Sequence, residues 1–498
     1  MDVSSPLASA RPITAQLSSL SSVIGSCPDS ALPSTARDVE RLFMDLESRL
    51  GSSTQGAGLG ELEECLSVSR ALIGRCSLPL AADDVSPAAE AELEAVAIRA
   101  EAVSPALLVL LRILGKDGGM DEGGGASERV LFVAAPDVCV FAVTHFQVAP
   151  WSSPSSRSAA QAVMRALLEA WHWTDSAHML MGDRGGAKGI LGGVLDLLQP
   201  QLNKDAMFRC DAVKLVFSWT LLQVTRPALS PHLPRLLPPS LLLADHYRPE
   251  NCLLGVRCLH HIVLNAAAAE LRQLNRAEVV YQALFRLLYQ AQPQVTQAIL
   301  LCLMDLLLVL EKPPSVSPVP FSISPAPSVR AVSRHDAVLR LVLTQMEAEH
   351  KVALRRVYAS ALPPLVDRCG IAVCRHMKRL ERVTIGFLEV SDPPDETSRI
   401  QTLHTLNRTL SSTWPRVDRG RAERFLKAVL QLLVDVSSDS NVTDAVKQEV
   451  FDQSETSIRR LDACLGGTLQ CLLLQVDSGH CSSEVLRVLC SATAKTQT

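Results

Sequence analysis

The sequence predicts an all-α protein: an α-solenoid of HEAT- or armadillo-like helical repeats in two segments. Three observations predict it. Residues 248–311 spell three successive helices joined by very short turns. Apolar residues recur there at helical spacing, on faces too wide for three helices to bury among themselves. Hydrophobic residues make up 47% of the 498-residue chain but aromatics only 4%, so the packing must be aliphatic, as in stacked helical repeats.

The punctuation of residues 248–311 is legible. Pro249 suits a first turn, where its missing N–H costs nothing, and Glu250 adds negative charge where the helix dipole favours it. That helix runs to about Asn265. Asn275 with Glu278 has capping-box spacing and opens a second helix. Pro293 opens a third, which Lys312, Pro313 and Pro314 end. On the second helix Ala277, Val280, Tyr281, Leu284, Phe285 and Leu288 form one apolar stripe opposite Glu278, Gln282 and Arg286. The third is apolar nearly all round and should be covered on several sides. The first carries two apolar seams, with Gly255 small enough for a close helix crossing.

Taken from the start, residues 1–35 are rich in Ser, Ala and Pro and are expected to be disordered. An N-terminal helical-repeat segment follows at 36–311. Within it, residues 37–50 and 62–73 are amphipathic helices joined by Gly and Ser, and Pro87 opens a longer one that Pro105 interrupts. Residues 116–127 form a glycine-rich loop. Residues 128–146 are β-branched enough for a hairpin, but their helical neighbours favour two short helices separated at Pro136. Helices continue at about 159–173, 206–224 and 234–243. Residues 312–332, alternating Pro and Ser, read as a linker between the two segments. A C-terminal helical-repeat segment at 333–490 includes helices at 336–346, 351–362, 371–390, 393–410, 421–436 and 443–476, the last a pair meeting near Gly466. Residues 491–498 are a tail.

Sequence features give catalysis little support. The glycine-rich run 182–193 is no phosphate loop, because Ala187 precedes Lys188, Gly189 follows it, and no buried strand leads in. His260 and His261 lie on an otherwise packed helix and read as structural. Asp305, a lone carboxylate in an apolar helix, is expected to bond a neighbouring turn or an arginine. The 14 cysteines lack zinc or redox spacing, so reduced, buried thiols in a cytoplasmic protein are expected. The expectation is a chain that is not an enzyme, with no catalytic residue, cofactor or metal. A net charge of −4 offers no general attraction to nucleic acid or anionic lipid, and the apolar run 299–310 is short for a bilayer and contains Asp305.

One charge pattern points to a partner. Arg375, Lys378, Arg379 and Arg382 fall at i, i+3, i+4 and i+7, while Val373, Met377, Leu380, Thr384 and Phe387 line another face. The stripe reads either as a solvated face partly neutralised by Glu381 or as a surface for an acidic protein. Nucleic acid is disfavoured because no aromatic residues are interleaved with the charges. Trp414, with Pro415 and Arg416, reads as an exposed corner in the same half of the chain.

Particular residues also resemble a known family. Arg248-Pro249-Glu250-Asn251, Gly255, Asn275-Arg276 and Tyr281-Gln282-Ala283-Leu284-Phe285 are similar to the Tel-two-interacting protein two (Tti-two) family, whose members are subunits of the Triple T cochaperone complex. So are His335-Asp336, Met346-Glu347, Arg355-Arg356, Arg375-His376, Lys378-Arg379-Leu380, Gly386 and the residues after it to Val390, and Trp414-Pro415-Arg416. The likeness covers residues 242–436. It implies a HEAT-repeat scaffold that binds Tti-one-like and Tel-two-like subunits. Through them it would reach the ninety-kilodalton heat-shock chaperone and the phosphatidylinositol-3-kinase-related kinases whose maturation that chaperone assists. DNA-damage and TOR signalling would depend on it indirectly. The implied location is the cytoplasm, with the nucleus as a second compartment. Arg375, Lys378, Arg379, Arg382, Trp414 and Arg416 are the expected partner-binding residues. A nuclear-transport or phosphatase scaffold would share the architecture and is the alternative.

Overall fold

A computed structural model describes residues 13–52, 58–81, 89–116, 126–182, 189–316, 332–469, 473 and 481–493, and among them there are helices and no β-strand. They belong to two compact units that divide between Leu242 and Leu243. The fold is an α-solenoid in both units.

In the first unit, α1 (Ile13–Ser26), α3 (Leu59–Arg75) and α5 (Ala126–Phe146) stack as one layer. The other layer is α2 (Leu32–Ser52), α4 (Glu90–Lys116) and α6 (Pro154–Ala170). Each helix therefore packs on the next but one, as amphipathic hairpins must when no single hairpin can close its own core. Shorter helices follow: α7 (Ser176–Met181), α8 (Leu191–Leu198), α9 (Lys204–Met207), α10 (Asp211–Gln223) and α11 (Leu233–Ala244), which crosses the unit boundary.

The second unit repeats the plan. Its inner row is α12 (Pro249–Asn265), α15 (Pro293–Leu310), α17 (Val352–Cys369), α19 (Thr397–Thr413) and α21 (Asp444–Cys464), each touching the next. The outer row follows the short α13 (Ala268–Arg272) and comprises α14 (Arg276–Leu287), α16 (Arg334–Ala348), α18 (Met377–Leu388), α20 (Arg419–Ser438) and α22 (Ser483–Thr493). Leu403, Leu406, Leu410, Phe425, Val429 and Leu432 carry the core between the rows near α19 and α20. Helices α12 and α15 begin at Pro249 and Pro293 and end at Asn265 and Leu310, as their punctuation predicts. Of the expected pair of helices at 443–476, the first ends where predicted, α21 stopping before Gly466 and Gly467, both at positive φ; most of the expected second helix, residues 470–472 and 474–476, lies outside the described residues.

Several expectations are corrected. Residues 13–35, expected to be disordered, hold α1 and the start of α2; Leu17 and Ile24 are fully buried anchors seven residues apart, and the serines between them bond helix carbonyls (Ser19 to Gln16, Ser22 to Ser19). Residues 1–12 lie outside the described residues. Helix α4 continues through Pro105, because the carbonyl that loses its donor belongs to Glu101, an exposed residue whose backbone solvent can reach. Residues 126–146 form one helix rather than two. Its apolar circumference packs on α3, α4, α6, α8 and α10, and Gly193 leaves room for the Pro136 ring, which a Cβ there would meet at 2.7 Å.

The capping box at Asn275 does not form. Asn275 is left-handed, its side chain caps nothing, and Glu278 instead binds Gln282 at 2.9 Å and Arg334 at 2.8 Å. A reciprocal box exists elsewhere, between Ser153 and Ser156. The boundary between compact units falls at Leu242/Leu243, not at residues 312–332, because α15 and α17, on either side of that segment, pack together. Of the segment itself, 317–331 lies outside the described residues, as do 117–125 of the glycine-rich loop and 183–188 of the rejected phosphate loop.

Helices α5 and α15 each contain an 18-residue window apolar enough to cross a membrane, 67% and 50% buried respectively. Both take part in layers of helices, and core helices of a solenoid have that composition.

Candidate partner-binding face

The basic stripe does not lie on one helix. Residues Gly370–His376 form a 3₁₀ segment, and the α-helix starts only at Met377. Gly370, at φ +53°, makes the turn and abuts Ser315. Arg375 therefore sits on a different backbone spiral from Lys378, Arg379 and Arg382.

Three of the four cations are held by carboxylates of α16. Arg375 Nη1 donates to Asp336 Oδ2 at 2.5 Å, and His376 Nε2 lies 2.9 Å from the other oxygen. Arg379 reaches Glu347 through two nitrogens at 3.1 and 3.0 Å and also donates to Thr344 Oγ1 at 2.8 Å. Arg382 adds a contact to Glu347 at 3.2 Å but stays 69% exposed. The Arg379 hydrogen bonds hold the Glu347 carboxyl below the usual range.

The same arrangement recurs along the outer row. Glu278 on α14 accepts from Arg334 at the start of α16. Glu381 on α18 accepts from Arg421 at 2.8 Å and Arg424 at 2.5 Å, both on α20. Burial pushes the Glu381 carboxyl up, but the two guanidiniums outweigh it and the net shift is downward. In each step the acid is on the earlier helix and the base on the later one, so charge pairing fastens successive repeats.

The remaining cations are different. Lys378, Arg340 and Lys427 are exposed and form no ion pair among the described residues. Trp414 and Arg416 sit on a one-turn 3₁₀ segment between α19 and α20, with Trp414 61% exposed. Arg416 is exposed too, and its carbonyl accepts from Arg421 Nη1 at 2.6 Å. The expected cluster is thus divided: Arg375, Arg379 and Arg382 serve the repeat stack, while Lys378, Trp414 and Arg416 face outward. Sequence reading missed Arg340 and Lys427, because nothing local marks a cation as unpaired when candidate acids lie 30 or more residues away.

Other polar groups look inward. His260 Nε2 lies 2.8 Å from Asp305 Oδ2, so the lone carboxylate of α15 is met by a histidine of α12, not by a turn or an arginine. Beside it a cleft of about 270 Å³ runs between α15 and α17, lined by Leu301, Met304, Val357 and Pro364 with Asp305 and Arg368 at its edge. Arg368 donates to the Met304 carbonyl. Nine of the described cysteines are buried, and burial pushes the Cys139 and Cys258 thiols up to about 12. No group of three metal-ligating side chains occurs among the described residues.

No family model matches the chain. Individual relatives do. It is 43% identical over 380 residues to human TELO2-interacting protein 2, covering 76% of this chain and 73% of that one. It is 44% identical to the rat protein of that name over 338 residues and 43% identical to the mouse protein over 340, covering 64% and 65% of those relatives. The chain belongs to the TELO2-interacting protein 2 family. The family assignment agrees with the residues that carry the resemblance, several of which prove to be structural: Gly255 at a helix crossing, and Asp336, Glu347 and Arg375 in the charge ladder. Among solved structures, Kap121p bound to RanGTP aligns over 93% of this chain and 41% of its own at TM-score 0.46 and 13% identity. A designed armadillo repeat protein aligns over 52% of this chain and 98% of its own at TM-score 0.31 and 12% identity.

Proposed function

We propose that the chain is a non-enzymatic scaffold subunit of the Triple T cochaperone complex. In this reading it binds Tti-one-like and Tel-two-like subunits and, through them, the ninety-kilodalton heat-shock chaperone. It thereby supports maturation and stability of phosphatidylinositol-3-kinase-related kinases, and with them DNA-damage and TOR signalling, in the cytoplasm and in a nuclear pool. The observation that carries the proposal is the 43% identity over 380 residues to human TELO2-interacting protein 2, whose name states its association.

The physics supports a scaffold. A two-layered helical stack presents long ridged surfaces rather than one deep polar pocket, and stable association between proteins needs area with a few buried anchors. The sequence-expected contacts, Arg375, Lys378, Arg379, Arg382, Trp414 and Arg416, belong to the outer row and the α19–α20 turn, and we propose that this face meets the sister subunit. Affinity capture of the tagged full chain, followed by mass spectrometry, tests the reading. Tel-two-like and Tti-one-like subunits are the expected catch. A catch of transport cargo or phosphatase catalytic subunits in their place overturns it.

A further inference from the structure

We infer that the outer row of the second unit binds an acidic segment of a partner protein through the cations left over from the charge ladder: Arg340, Lys378, Arg416 and Lys427, with Trp414 at their edge. This rests on the scaffold reading above and names the chemistry of one of its contacts.

The ladder itself creates the surface. Asp336 and Glu381 are buried and Glu347 is partly covered, each under the guanidinium it accepts from. The carboxylates therefore point into the stack while the basic groups cover them. Residues 370–388 carry Arg375, Lys378, Arg379 and Arg382, of which Asp336 and Glu347 on α16 neutralise all but Lys378, and exposed Glu389 follows. Lys378, with Arg340 on α16 and Lys427 on α20, therefore leaves a cationic excess along this row of a chain of net charge −4.

The four leftover cations are linked through that ladder. The Arg340 carbonyl accepts from Arg379 Nη1 at 3.4 Å, and Lys378 is the neighbour of Arg379 and one helical turn from Arg382. Glu381, three residues beyond Lys378, holds Arg424, and Lys427 lies one turn past Arg424. Arg421, which shares Glu381, donates to the Arg416 carbonyl. Since α16 packs on α18 and α18 on α20, the cations step across three adjacent helices. At about 10 Å between axes the row spans about 20 Å, the reach of an extended segment of about six residues.

An acidic segment is the occupant this pattern fits. The ladder arginines already have carboxylates, whereas the leftover cations pair with no acid among the described residues, so an added acid gains there without breaking an internal pair. Trp414, 61% exposed, supplies an amphipathic anchor at the rim. Nucleic acid fits less well: on α16, α18 and α20 the aromatic side chains are Phe387 and Phe425, both buried, so neither offers a base a stacking face between the cations.

The test uses the full chain and its co-expressed Tel-two-like and Tti-one-like subunits. Wild type is compared with R340E/K378E/K427E and with the charge-preserving R340K/K378R/K427R. The reversal variant should melt like wild type, since these side chains pair with no acid among the described residues, yet bind at least tenfold more weakly with a flatter salt dependence. The charge-preserving variant should bind normally. Binding by the reversal variant within twofold of wild type overturns the surface assignment and leaves the scaffold reading intact. Wild type that captures neither subunit overturns the scaffold reading itself. A fluorescein-labelled ten-residue polyglutamate peptide and a ten-nucleotide single-stranded DNA are titrated in parallel. Tighter binding of the DNA, lost on reversal, overturns the acidic-protein assignment. Should the triple variant melt lower, K378E alone decides: about threefold weaker capture is expected, and unchanged capture overturns the assignment.

Discussion

A methyl group placed on Gly255 would stand 2.7 Å from the α-carbon of Ala244 and closer still to its nitrogen. Helix α12 crosses the end of α11 here with backbone against backbone, a contact only glycine permits. Gly255→Ala should therefore destabilise the chain by about 2 kcal/mol, the usual range for forced overpacking. Gly386→Ala on α18 is the control. Its new methyl would meet nothing within 4 Å, so the helix should gain about 1 kcal/mol in propensity. Urea unfolding of both variants checks the pair, and equal stability of the two would refute the crossing argument.

Glu381 joins α18 to α20 through Arg421 and Arg424. Glu381→Gln keeps the shape but removes the charge, leaving Arg424 without the carboxylate it donates to and Arg421 with only its longer contact to Asp418. A loss of about 1–3 kcal/mol is expected, the worth of charge-assisted bonds at a largely buried group. A thermal melt in low salt reads it, and a melting temperature unchanged from wild type would show that the ladder contributes nothing to the stack.

Stability should fall on mild acidification. Burial pushes the His145 imidazole down to about 4 from its ordinary 6.5, so the native state holds it neutral beside Phe141. A lowered folded-state value means that protonation favours unfolding. The contribution is complete above pH 6.5 and is lost as pH falls toward 4, about 3 kcal/mol in all. His335, also lowered by burial, acts in the same direction. Glu347 and Glu381, lowered from 4.5, add losses only below that pH. Chemical denaturation at pH 7, 6, 5 and 4 should show the fall, and His145→Leu should flatten it between 6.5 and 4.

The ends of the Pro/Ser-rich segment are fastened to each other. Glu311 accepts from Arg334 at 3.4 Å and pairs with His335 Nδ1 at 2.9 Å, and the Ser315 N–H donates to the Arg368 carbonyl at 3.0 Å. With α15 and α17 packed together as well, chain continuity through residues 317–331 is not what holds the second unit together. A protease site engineered there should yield two fragments that co-elute on gel filtration and melt as the intact chain does. Separation of the fragments without denaturant would show that the clasp is too weak.

Local chemistry determined the elements. Pro249 and Pro293 set helix starts, and the stripe from Ala277 to Leu288 showed which side of its helix is covered, because a helix periodicity of 3.6 writes burial directly into spacing. The family was legible for a related reason: Gly255, Asp336 and Arg375 are residues whose identity the stack constrains. What only the tertiary structure decided is which charges are spent. Arg379 and Lys378 are neighbours with the same charge, yet one is held by Glu347, 32 positions away, and the other faces water. Pro136 was misread for the same reason, since the helix continues past it only where Gly193 leaves room for its ring. Both depend on neighbours brought close by folding, and contacts made across tens of residues leave no periodic trace in the chain.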